Sequence, residues 1–486
     1  MKTMKMRFQP SNAGGWLIPA LMLAGPALAA GGAARGHGKL EKALDAQRNF
    51  NAVQTIYRPG VPQLTKHGHV LFRYDPQHSF FPIGAWGVPS PGKVYDYTYH
   101  WSALKKAGFN TVWPWMGNAV GPSLKAAQRL GLHVVLMGPL APSVLRQVGE
   151  NPLLLGNAWR DEPIGQLGAP HFSMEKLYRQ FLGYKKMAHK IAPNVLVFNN
   201  DASWITSPAT SWWIRWNDAG DISCDDNYPI LPGARSIGAD PHGIPQVVSL
   251  SAASTRERKP VWLIVGAFEQ AHRYRQPFPF SFPTPTQLRA EVYAGIISGA
   301  TGISYFIWDS YVARDGMLIG MSPDPRVAYS PNPQRPGTPK PTPATPMQLV
   351  QSRALWQATT VINRELAKLT PVILSPTVGS QVAYKVAIHG KSVTADPIRC
   401  LLKPDPRGGY VLLTVNLDDA VLGVRYTFPE PLREVATMFN HQPPLKFNPP
   451  AKTFSAHYEP FETHVFRVLP AAAGARPESQ RSGGRR

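Results

Sequence analysis

Eight apolar, strand-like runs alternate with helix-like stretches between Phe80 and Trp308, and few architectures accept that alternation. The runs are Phe80 to Ala85, Phe109 to Trp115, His133 to Met137, Leu153 to Arg160, Val195 to Asn199, Asp221 to Cys224, Pro260 to Phe268 and Gly302 to Trp308. Helical patterns stand between them, at Tyr97 to Ala107, Ser123 to Leu130, Ser143 to Val148 and Ser173 to Ile191, with weaker ones around Trp212 to Asp218 and Gln246 to Arg258; a helix over Met347 to Leu369 ends the series. The spacing predicts an α/β fold, a (β/α)8 TIM barrel, with an open doubly wound sheet as the alternative.

Beyond Val378 the apolar period shortens to two, over Arg399 to Lys403, Tyr410 to Leu417, Val421 to Phe428, Thr453 to His457 and Thr463 to Val468. That pattern predicts a small antiparallel β-sandwich after the barrel. The chain of 486 residues, 43% of them apolar, is long enough for one large core and a smaller second one. We divide it into a signal peptide (1–29), an N-terminal extension (30–69) that wraps the fold, the barrel (70–375), the sandwich (376–470) and a disordered basic tail (471–486). Within His69 to Gly87 a short hairpin is expected ahead of the first barrel strand. The proline-dense stretch Ser322 to Pro346 must be a loop after strand eight.

At the N-terminus Lys2, Lys5 and Arg7 precede an apolar stretch from Trp16 to Leu28 and an Ala27-Leu28-Ala29 site, the pattern of a secretory signal. The expected location is therefore periplasmic or extracellular, with no membrane span after cleavage. Net charge is +21, with cations spread over the length and no arginine-rich helix or basic-aromatic module. Nucleic acid is not an expected partner, whereas an anionic envelope or an acidic polysaccharide suits an exported basic protein. Cys224 and Cys400 fall in segments assigned to different domains, so a disulfide is possible but not expected. No clustered His/Cys spacing or phosphate-cradling loop occurs, so no metal and no cofactor are expected.

The chemistry concentrates where Leu153 to Ala158 breaks into Asp161, Glu162 and Pro163. Pro163 cannot donate to a ladder, so the two carboxylates should stand at the C-terminal rim of strand four, where barrel enzymes carry catalytic groups. The bland alternative is a solvated Asp-Glu-Pro turn. Aromatic side chains at other rims, Trp86, Trp113 and Trp115, would suit a carbohydrate cleft, though each alone is more often packing.

FFPIGAWG at the first strand, LKKAGFNTVWPW at the second, LLGNAWRDEP at the fourth, DNYPI after the sixth, KPVWLIVGAF at the seventh and TPTQLRAEVYAGIISGATGISYF before the eighth resemble exported bacterial glycoside hydrolases. Those proteins have clan A type barrels followed by a β-sandwich and are distantly like the family 42 β-galactosidases. The resemblance implies a glycosidase acting on a poly- or oligosaccharide, with a glutamate acid/base at the end of strand four and a glutamate nucleophile at the end of strand seven. The first role maps onto Glu162, with Asp161 where the family usually has asparagine. The second maps onto Glu269, which shares parity with Leu263, Val265 and Ala267; its alternative is a loop glutamate paired with Arg273 or Arg275, and Asp225, Asp226 and Asp309 are rivals. Tyr228 is placed to hydrogen-bond the nucleophile and Trp308 to floor the sugar site, with Asp161, Asp226, Trp86 and Trp115 as further substrate contacts. A retaining, two-carboxylate mechanism is the expectation, and a non-catalytic polysaccharide-binding barrel of the envelope is the competing one.

Overall fold

A computed structural model describes residues 62–64, 70–72, 80–91, 98–114, 120–167, 173–193, 195–202, 209–239, 243–255, 259–271, 280–313, 316–322, 344–375, 382–439 and 445–471. The signal peptide, Trp115, Arg273, Arg275, nearly all of the proline-dense loop and all but one residue of the basic tail lie outside the described residues.

Two short strands, β1 (Pro62–Leu64) and β2 (Val70–Phe72), pair antiparallel. The expected hairpin thus begins earlier than the sequence suggests, because its first strand comes from the extension. The barrel follows, with β3 (Ile83–Val88), β4 (Thr111–Pro114), β5 (His133–Met137), β6 (Leu154–Asp161), β7 (Leu196–Ala202), β8 (Ser223–Asn227) and β9 (Val261–Gly266). After the short β10 (Glu269–Ala271) comes its eighth stave, β11 (Gly302–Phe306). All eight pair in parallel and β11 closes on β3, so the open sheet is excluded. The helices are α1 (Thr98–Lys106), α2 (Val120–Leu130), α3 (Pro142–Val148), α4 (Met174–Ile191), α5 (Ala209–Ala219), α6 (Ile244–Ser254), α7 (Pro285–Ser298) and α8 (Pro346–Ile373). The last two begin alike. Thr284 with Gln287 and Thr345 with Gln348 form complete capping boxes, each with proline at the first helical position, so both helices start at a fixed residue.

Each barrel strand is buried on both faces, as parallel staves covered by helices must be. On β9, Val261, Leu263 and Val265 join the cluster under the helices, while Trp262 and Ile264 fill the barrel with Trp86, Trp113, Phe198 and Phe306. Cys224 is inside this inner cluster and Cys400 lies on the later sheet; both thiols are free.

Above the barrel, β10 pairs with β13 (Gly316–Ile319), which pairs with β12 (Tyr311–Ala313), so the segments after staves seven and eight are tied into one small antiparallel sheet. The C-terminal region is a six-stranded antiparallel sheet of β14 (Ala383–His389), β15 (Ile398–Pro404), β16 (Tyr410–Asn416), β17 (Val421–Thr437), β18 (Ala451–Tyr458) and β19 (Thr463–Pro470). The two-layered arrangement comes from one continuous sheet that curls. The first half of β17 lies between β14 and β18, its second half pairs with β19, and the register slips where Pro429 and Pro431 interrupt the ladder. Tyr426, Phe428, Phe454 and Phe466 fill the curl. Leu401, Leu413, Val415 and Val465 point the other way and join the outer core of the barrel. Between the two, α7 is buried at every residue from Leu288 to Ser298.

Candidate active site

Two constraints act on Glu162. Preceding Pro163, its backbone is driven out of the right-handed helical region, and its N–H is held by the carbonyl of Asn200 on β7 at 2.8 Å. The result is a left-handed conformation, φ 41° and ψ 56°, which costs an L-residue roughly 1 kcal/mol. Such strain persists where the surroundings over-determine it, often at functional sites. The register of β6 against β7 also slips between Ala158 and Asp161, re-aiming the last residues of the strand.

The carboxyl of Glu162 hydrogen-bonds that of Asp226 on β8, which shares the inward parity of Cys224. The Tyr228 hydroxyl also donates to Asp226, and Asn200 bonds both Asp226 and Oδ1 of Asp161, the latter at 2.8 Å. Staves four, five and six therefore bring Asp161, Glu162, Asn200, Asp226 and Tyr228 together. One oxygen of Asp226, Oδ1, is buried with no hydrogen-bond partner.

Burial raises the Glu162 carboxyl well above the ordinary range, and the negative neighbours Asp226, Asp161 and Asp201 raise it further. Asp161 is pushed to about 8 by burial and by Asp226. Burial also raises Asp226, but the donors Tyr228, Glu162 and Asn200 oppose the shift. The pair therefore holds a proton above the ordinary carboxyl range, and the two groups titrate together. A protonated acid beside a fixed carboxylate can protonate a leaving group at neutral pH.

Other candidates are placed elsewhere. Leu263, Val265 and Ala267 face the helices, so the parity they share with Glu269 points away from the barrel axis. β9 stops at Gly266, and Glu269 starts β10, where its Oε1 accepts from Gln348 Nε2 at 2.8 Å. The inward position on that stave is Gly266, and a Cβ there would stand 3.1 Å from Cδ1 of Tyr228, so the tyrosine ring occupies the space a side chain would need. Trp308 is likewise a correction. It is fully buried in the outer core, edge-on to Trp356 at 5.0 Å, with its indole N–H on Nδ1 of His100 at 3.3 Å. From stave eight it is Phe306, two residues earlier, that joins the inner cluster.

Trp86 does point inward, stacked on Trp113 at 4.7 Å and edge-on to Phe306. Phe306 in turn stacks with Tyr228 at 5.6 Å, and Phe268 meets both rings edge-on. Asp225 is turned outward and accepts from Trp213 Nε1 at 2.6 Å, Ser223, Asn217 and Ser251; burial pushes it to about 7. Asp309 is pushed to about 7 by burial and accepts only from the backbone of Ser310 among the described residues. Sequence reasoning missed Asn200 and Phe306. Three consecutive polar residues, Asn199 to Asp201, ending an otherwise apolar stave were the signal for Asn200.

No protein-family model matches the chain, and no curated protein matches it in sequence. Among solved structures, a family 39 glycoside hydrolase from Bacteroides cellulosilyticus WH2 aligns at 11% identity over 84% of this chain and 83% of its own, with a TM-score of 0.47. An Anoxybacillus α-amylase aligns at 8% identity over 81% of this chain and 98% of its own, TM-score 0.46. An α-L-arabinofuranosidase from Thermotoga maritima aligns at 11% over 85% and 98%, TM-score 0.44. At these identities and TM-scores none of the three assigns a chemistry to this chain, which rests on the strand order and the side chains above.

Proposed function

We propose that the protein is an exported glycoside hydrolase in which Glu162 protonates the departing oxygen of an O-glycosidic bond and then, as a carboxylate, activates water. The observation that carries this reading is the Glu162–Asp226 pair, two hydrogen-bonded buried carboxyls that hold a proton above the ordinary range at the C-terminal rim of a (β/α)8 barrel. The strand-four and strand-six motifs that resemble family 42 relatives support the same assignment for Glu162. Tyr228 and Asn200 keep Asp226 ionised, and an anion beside the anomeric carbon stabilises the positive charge that develops as the bond breaks. Two carboxyls in direct hydrogen bond leave neither the roughly 6.5–9.5 Å of an inverting pair nor the about 5–5.5 Å of a retaining one, so retention of configuration enters the proposal through the family resemblance and not through this pair.

Export belongs to it as well, on the strength of the basic, apolar and Ala-Leu-Ala segments, and so does a carbohydrate polymer as substrate, an acidic one fitting the +21 charge. The test is a screen of polysaccharides and activated aryl glycosides, with the anomer of the first-formed product read by proton NMR and Glu162→Gln as control. Hydrolysis with retention, lost in the variant on unactivated substrates, is the expected result. Polysaccharide binding with no release of reducing ends would favour the non-catalytic barrel instead. Sequencing the N-terminus of exported protein should find Ala30 first.

A further inference from the structure

In a double-displacement glycosidase, the nucleophile and the acid stand on opposite faces of the sugar, about 5–5.5 Å apart. Asp226 does not fit that geometry, because it is bonded to the acid itself and so lies on the acid's side. Nor does stave seven, opposite stave four, put a carboxylate inside the barrel among the described residues: its inward position is Gly266, backed by the Tyr228 ring, and Glu269 is held by Gln348. Among the described residues, then, the site joins a proton donor to a buried acidic partner, and stave seven brings no carboxylate inside the barrel.

Resting on the glycosidase reading above, we infer that the nucleophile is carried by the substrate, and that the site takes 1,2-trans glycosides of 2-acetamido-2-deoxy sugars. Two further features fit that class. Asp226 Oδ1 is an unpartnered buried acceptor, and an amide N–H would satisfy it, while Asp161 is already occupied by Asn200. Next to Asp226, the rings of Tyr228, Phe268 and Phe306 form an apolar corner suited to an acetamido methyl group.

In the first step the amide oxygen forms a bond to C1 as the C1–O bond to the leaving group breaks. The leaving oxygen takes the proton of Glu162. The resulting oxazolinium carries its positive charge on the N–H that Asp226 accepts. In the second step water attacks C1 and gives a proton to the Glu162 carboxylate; the bond between C1 and the amide oxygen breaks, and the acetamido group is restored with configuration at C1 retained.

The experiment compares aryl 2-acetamido-2-deoxy-β-glycosides with the matching 2-hydroxy aryl β-glycosides on the intact protein. A second series replaces the acetamido methyl by mono-, di- and trifluoromethyl, which weakens the amide oxygen as a nucleophile. The expected kcat/KM ratio favours the acetamido substrates by at least about 100-fold, the order of advantage a positioned intramolecular group gives, and kcat falls stepwise with each fluorine. An N-acetylglucosamine thiazoline should compete. Comparable turnover of 2-hydroxy glycosides, or labelling of a carboxylate by a 2-fluoro glycoside, overturns the inference while leaving the glycosidase reading intact. Acetamido selectivity without a fluorine dependence overturns participation by the amide. Failure to hydrolyse any glycoside in either series overturns the glycosidase reading and the inference with it.

Discussion

On the proposed mechanism, replacing Glu162 by glutamine separates two roles of the residue. The amide cannot donate a proton to a leaving oxygen, so kcat should fall about 10²–10⁴-fold for unactivated glycosides and much less for aryl glycosides with good leaving groups, measured by steady-state kinetics. Yet the melting temperature at pH 7 should rise. A carboxyl whose pKa is raised by folding stabilises the fold fully only below its unfolded pKa and loses that contribution as pH climbs through the folded value; a neutral amide has nothing to lose. Tyr228→Phe makes a different cut. Removing the hydroxyl takes a donor from Asp226, so the Asp226 carboxylate becomes harder to form, and the acid limb of the kcat/KM profile should move to higher pH while the alkaline limb, set by loss of the pair's proton, moves less. An unchanged acid limb would mean that Asp226 is not the group that must be ionised. The sequence singles out Glu162 because a proline and a charge pair end an apolar run. It misdirected Glu269 because both faces of a parallel stave are apolar, so the alternation on β9 gives two registers and no sign of which one faces inward.

At the scale of elements, the staves were legible and their ends less so. His133 to Met137 is predicted and found at the same residues, whereas stave one, expected at Phe80 to Ala85, is found three residues on at Ile83 to Val88, where a register slip between Trp86 and Val88 turns the two to opposite faces. The curl of the C-terminal sheet was not legible, since period two fixes faces and not which strand bends. Where α4 meets the start of β8, Asp221 accepts from His189 Nε2 and the Val197 N–H at 2.7 Å and pairs with Lys185 at 2.7 Å. Burial pushes its carboxyl up, but the His189 bond and the Lys185 ammonium outweigh it, leaving the pKa below the ordinary value. Its stabilisation is therefore present above about pH 4, the unfolded carboxylate value, and is lost as pH falls through the lower folded one. Asp221→Asn should cost about 3 kcal/mol in urea unfolding at pH 7, and the difference from the parent should shrink toward pH 3. A constant difference across that range would assign the loss to packing rather than to charge.

For the whole molecule, α7 decides how barrel and sheet behave. A helix has a solvent face when only one side is covered, but α7 has the barrel beneath and the curled sheet above, and Arg235 pairs with Asp419 while Ile237 N donates to Leu417 O across the same boundary. Calorimetry should then record one unfolding transition for barrel and sheet together. A chain ending at Ser375 should be insoluble or molten, because the outer core it shares with Leu401, Leu413, Val415 and Val465 would open to water. Two resolved transitions, or a folded barrel from the shortened chain, would contradict this. A helix without a free side also restricts what exchange of parts can do to such a chain. A carbohydrate-binding module on a linker can be traded between enzymes without disturbing either partner, since no side chain is fitted to both. Here one helix is fitted to two neighbours at once from Leu288 to Ser298, so the sheet cannot be exchanged for another without refitting α7, and the two halves must be inherited together.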